Sequence, residues 1–123
     1  MYETLEQNSR LGLVLTMRED WYKLKIEKPI RNLVKLLRDN GFNTVCSCGH
    51  LPKPYVQMEG HYPEEVTKLY SLLVENKFKN FTILYSMNNI ESLKDFDRTL
   101  EVSFTVLGKR EMIRESDIRD GVE

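Results

Sequence analysis

The most constraining feature of this sequence is the strict alternation between residues 99 and 106. Leu100, Val102, Phe104 and Val106 hold one parity; Thr99, Glu101, Ser103 and Thr105 hold the other. A period of two sends the first set to one face of a strand and the second to the opposite face. The chain must therefore build a sheet that is covered on one side and wet on the other, the habit of antiparallel sheets. A cover is encoded upstream. Ile30, Leu33, Val34 and Leu37 follow the i, i+3, i+4, i+7 rule behind Pro29, and Asn40-Gly41 stops the run. That is a helix with a single apolar stripe.

The remaining elements follow from the same two periods. Short strands are expected over 11–17 and over Trp21 to Ile26, where Tyr22, Leu24 and Ile26 alternate with lysines. Phe42 to Cys48 and Tyr55 to Glu59 read as two strands joined by a Pro-rich loop. A second helix starts at Pro63, with Val66, Leu69, Tyr70 and Leu73 as its stripe. Phe81, Ile83, Tyr85 and Met87 form another strand, and a polar loop from Asn88 to Asp97 leads into the 99–106 run. A shift of 36 superimposes Asn40 on Asn76 and Phe42 on Phe78, along with four apolar helix positions, which suggests a duplicated helix–strand–strand unit. The expected fold is a two-layer α+β sandwich with two helices on one face of a mainly antiparallel sheet, ferredoxin-like or a duplicated αββ variant of it. Residues 1–10 read as a flexible start and 11–107 as a single domain. Residues 108–123 read as a charged tail or a short helix around Met112 and Ile113.

Charge narrows the function classes. Lysine and arginine number 18 against 19 acidic residues, for a net charge of -1, so nothing overall is built to grip a phosphate backbone. The densest basic run, Lys23, Lys25, Lys28, Arg31, Lys35 and Arg38, reads as a solvated helix face. No apolar run is long enough for a membrane span, and the acidic, polar start is unlike a signal peptide. The two cysteines are too close on one strand to close an ordinary disulfide, which favours a reducing cytoplasm.

Both cysteines and both histidines fall between positions 46 and 61: Cys46, Cys48, His50 and His61. Residues two apart on a strand share a face, with Cα atoms roughly 6.6 Å apart. Two thiolates so placed could bind one zinc ion at about 2.3 Å each, with the imidazoles completing a Cys2His2 set. The competing reading is packing. Phe42, Thr44, Cys46 and Cys48 would form one apolar strand face under a helix, the cysteines acting as small hydrophobes. A nucleophilic Cys48, with His50 or His61 as base and Glu59 or Glu65 to orient it, is the catalytic alternative.

The segment Thr44-Val45-Cys46-Ser47-Cys48-Gly49-His50, preceded by a helix and Gly-Phe and followed by Pro-Tyr, resembles a pattern in small uncharacterised prokaryotic and phage-type domains. It is also distantly similar to the strand end Thr-x-x-Ser-Cys-Ser-Gly-Arg of the wybutosine-synthesis methyltransferase family, which acts on tRNA with S-adenosylmethionine. Thr44, Ser47, Cys48 and Gly49 are the matching positions. The chain lacks one residue between Cys48 and Gly49 and carries His50 in place of the arginine. The resemblance implies a site at this strand end. The expected function is thus a small module, more a binder than an enzyme, that takes a protein partner or small ligand at Thr44, Ser47, Cys48, Gly49, His50 and His61. A tRNA-directed or thiol-based enzyme and a zinc-binding domain are the alternatives. An exposed edge strand also makes a homodimer plausible.

Overall fold

A computed structural model describes residues 21–88 and 97–122. Its order is α1 (Lys28–Asp39), β1 (Thr44–Cys48), β2 (Tyr55–Glu59), α2 (Glu65–Glu75), β3 (Phe81–Met87) and β4 (Arg98–Phe104), then a 3-10 turn at Glu115–Asp117. The four strands form one antiparallel sheet in the order β1-β2-β4-β3. β2 and β3 consequently run the same way with β4 between them, and α2 makes the crossover. The α+β class and two-layer build expected from the two periods are what the chain adopts.

Register explains the alternation. Val56 and Ile83 flank Val102, and Met58 and Tyr85 flank Leu100, all on the side that carries the helices. Ile30, Leu33, Val34 and Leu37 of α1 and Leu69 and Leu73 of α2 close over them, each essentially without solvent contact. The opposite face carries Tyr55, Gln57, Glu101, Thr82 and Leu84. No helix among the described residues is long and apolar enough to cross a membrane.

The two helices end with the same device. Phe42 N–H donates to Leu37 O and Gly41 N–H to Arg38 O; Phe78 N–H donates to Leu73 O and Lys77 N–H to Val74 O. Asn40 and Asn76 each turn a side-chain amide back onto Leu36 O and Leu72 O. The pivot residue needs a left-handed backbone, which Gly41 supplies at φ 90°. At the second stop the pivot is Lys77, at φ 68°. A side chain is strained there, so Lys77→Gly is expected to raise stability by about 0.5–1 kcal/mol in urea unfolding, with an unchanged m-value.

Two segments and the limits of two strands differ from expectation. Residues 21–25 are helical, where a strand was expected. Tyr22 is buried, Ile26 N–H donates to Tyr22 O, and Arg31 caps the turn by donating to the carbonyls of Tyr22, Lys23 and Ile26. A guanidinium from the next helix thus satisfies carbonyls that a helix end leaves open. The segment after Gly108 is no free tail among the described residues. Ile113 and Ile118 lie in the core. Met112 bridges to His50 in extended form, not in a helix, and Arg119 bridges to Phe78. β1 starts at Thr44 and β4 ends at Phe104, slightly inside the expected limits. The expected strand over 11–17, the flexible start and most of the 88–97 loop lie outside the described residues.

Candidate functional site

Whether the two thiols are core or site is decided by one extra residue in β1. Thr44 pairs with Met58, but Cys46 pairs with Gln57, Ser47 with Val56 and Cys48 with Tyr55. The register slips between Thr44 and Cys46, a β-bulge. Without the bulge, positions 44, 46 and 48 would share a face. With it, Thr44 stays under the helices and both cysteines turn to the opposite face. Cys46 is exposed and Cys48 half-buried. The packing reading, with both thiols under a helix, is thereby overturned.

At the end of β1, three side chains converge. Cys48 Sγ lies 3.3 Å from His50 Nδ1. Glu27 Oε2 lies 3.3 Å from the same nitrogen. One donor atom from each residue falls within 4.8 Å of the other two. Glu27 occupies the residue just before α1, and its other oxygen, Oε1, accepts the Gly49 N–H at 2.5 Å. Gly49 lets the carboxylate come close. A Cβ at that position would stand 3.3 Å from Glu27 Oε1 and 3.8 Å from Glu27 Cβ. The strand end is pinned from the far side as well, since Ile113 N–H donates to Gly49 O and Leu51 N–H to Glu111 O. His50 and Glu27 remain 44% and 33% exposed, so the convergence point opens to solvent.

The other expected site residues are placed elsewhere. His61 is buried 18 residues from Asn43, whose backbone N–H donates to its Nε2 at 2.9 Å. Nδ1 therefore carries the proton and donates to Glu65 Oε1 at 2.9 Å. Both ring nitrogens are engaged, and the ring packs on Phe42 at 5.1 Å. His61 is a structural strut and does not join the cysteines. Cys46 Sγ sits 3.6 Å from Tyr55 Oη. Its hydrogen bond, then its charge when ionised, with burial and the charges of Cys48 and Glu101 behind them, push the Tyr55 hydroxyl up to about 12. Thr44 is buried with its hydroxyl accepting from Arg38 at 3.0 Å, and Ser47 lies on the helix side of β1. Of the six residues expected to bind a ligand, only Cys48, Gly49 and His50 meet. Glu27 is the member that sequence reasoning missed.

No family model matches the chain, and no curated protein or solved structure matches it.

Proposed function

We propose that the chain is a small metal-binding module that holds a zinc-class ion through Glu27, Cys48 and His50. The observation that carries this reading is the convergence of carboxylate oxygen, thiol sulfur and imidazole nitrogen on one solvent-facing point. Ligands bound at about 2.0–2.3 Å in a tetrahedron stand roughly 3.3–3.8 Å from one another. The sulfur–nitrogen and oxygen–nitrogen separations, both 3.3 Å, lie at that tetrahedral edge, and the sulfur and oxygen lie within 4.8 Å of each other. The donor set suits zinc, which accepts sulfur, nitrogen and oxygen together, and a hard ion such as magnesium would not select the sulfur. Three protein ligands leave a fourth position facing water, where a small ligand of the kind expected at this strand end would bind.

A thiol enzyme is less well supported by the same geometry. A nucleophile–base–carboxylate relay places the thiol on one ring nitrogen and the carboxylate on the other. Here both contacts fall on Nδ1. Two donors facing one nitrogen suit a cation between them better than a proton relay.

The test is elemental analysis after equilibration with zinc and dialysis. One zinc per chain is expected, lost in Cys48→Ser and His50→Ala, weakened about 10–100-fold or more in Glu27→Ala, and kept in Cys46→Ser. Zinc retained by Cys48→Ser, or none on the native chain, contradicts the reading.

A further inference from the structure

Among the described residues β3 ends the sheet, and its outer edge can be mapped residue by residue. Antiparallel ladders alternate residues that bond to one neighbour with residues that bond to the other. At the two ends of β3, Thr105 N–H donates to Asn80 O at 3.1 Å and Asn88 N–H donates to Asp97 O at 2.8 Å. The even-numbered residues therefore face β4. Thr82, Leu84 and Ser86 bond inward, and Phe81, Ile83, Tyr85 and Met87 turn their N–H and C=O groups outward. Among the described residues, no strand pairs with that edge.

Sheet edges are normally protected by charge, proline, a bulge or shortness. The opposite edge, β1, is five residues long and bulged. β3 has seven residues, no charge, no proline and no register shift. Its Leu84, on the open face, is 58% exposed.

We propose that β3 pairs with β3 of a second copy of this chain, antiparallel, about a twofold axis at Leu84. That register sets Phe81 opposite Met87 of the second copy and Ile83 opposite its Tyr85, as hydrogen-bonded pairs. Every outward N–H and C=O then finds a partner. A shift of two residues strands one outward residue on each copy, and a shift of one sets outward groups against inward ones. The side chains suit the same register. Leu84 meets its own symmetry mate in a close, non-hydrogen-bonded pair, and Thr82 meets Ser86. On the helix side Phe81, edge-on to the exposed Tyr70 at 5.8 Å, meets the half-exposed Met87, a favourable sulfur–aromatic contact. No like charges oppose each other across the axis. The pairing joins the four described strands of each copy into one continuous sheet and does not depend on the metal reading.

Sedimentation equilibrium of the full chain tests it. A dimer is expected, and Leu84→Lys, which sets two ammonium groups face to face, should shift it to monomer without changing the circular dichroism spectrum. A second variant reads the register directly. In a Cys46→Ser/Cys48→Ser background, Leu84→Cys should form an intermolecular disulfide on mild oxidation, because facing Cα atoms in such a pair lie about 4.5 Å apart. Thr82→Cys in that background should not. A native chain that stays monomeric up to millimolar concentration overturns the proposal. So does a dimer that survives Leu84→Lys, or cross-linking through position 82 rather than 84.

Discussion

Zinc at a hundredfold excess over its dissociation constant is expected to stabilise the folded chain by about 2.7 kcal/mol. For a domain of this size that corresponds to a rise in melting temperature of roughly 8–16 °C. The effect is large because the ligands straddle two elements. Cys48 and His50 lie on one strand end, but Glu27 sits 22 residues from Gly49, at the entrance to α1. The unfolded chain rarely brings that carboxylate to the thiol, so binding energy becomes folding energy. Differential scanning calorimetry with and without zinc measures it. Cys48→Ser should abolish the rise, and His61→Ala should preserve it on a lower baseline. Because thiol and imidazole must shed protons to bind, the rise should shrink as the solution is acidified.

Replacing His61 by alanine is expected to cost about 2–4 kcal/mol. The ring is 6% exposed and joins the start of β1 to the start of α2. Its loss takes away the acceptor of the Asn43 N–H and opens a gap beside Phe42. It also strips Glu65 of one contact. Burial pushes the Glu65 carboxyl up, but the Tyr62 N–H, His61 and Lys68 outweigh it and hold it below its ordinary 4.5. A carboxyl lowered in the folded state stabilises fully above its unfolded value and loses that stabilisation as pH falls through the folded value. Native stability should therefore fall on the acid side below 4.5, and His61→Ala should show a shallower fall. Urea unfolding across pH measures both, and an unchanged midpoint in the variant would contradict the role given to His61.

The elements that came through from sequence are those whose period is long enough to be unambiguous. The 99–106 alternation and the Ile30–Leu37 stripe each repeat four times, and both define the core that the chain forms. Residues 21–26 look like a strand by alternation, but only Tyr22 and Ile26, four apart, share a face of the helical turn that forms, and Leu24 between them is left 81% exposed. The Arg31 guanidinium, a contact invisible to periodicity, holds the carbonyls of that turn. The bulge after Thr44 is likewise silent in the sequence, since Val45 looks like any strand residue, yet it moves Cys46 and Cys48 from the core face to the open one. Clustering of cysteine and histidine pointed to the strand end where Cys48, His50 and Glu27 converge, but it also gathered Cys46 and His61, which lie elsewhere. Proximity in sequence groups His61 with the cysteines although its ring bonds Asn43 and Glu65, and Glu27 is hidden from such clustering because a whole helix separates it from the strand. The sequence carries one weak signal of it, Gly49, a small residue that lets the Glu27 carboxylate approach.

X-ray absorption at the zinc edge tests the central claim most directly. For the zinc-loaded chain, a first shell with one sulfur near 2.3 Å and the remainder nitrogen or oxygen near 2.0–2.1 Å is the spectrum predicted by ligation through Cys48, His50 and Glu27. Two sulfurs in that shell would place Cys46 at the ion, and a shell without sulfur would take the metal away from this strand end altogether.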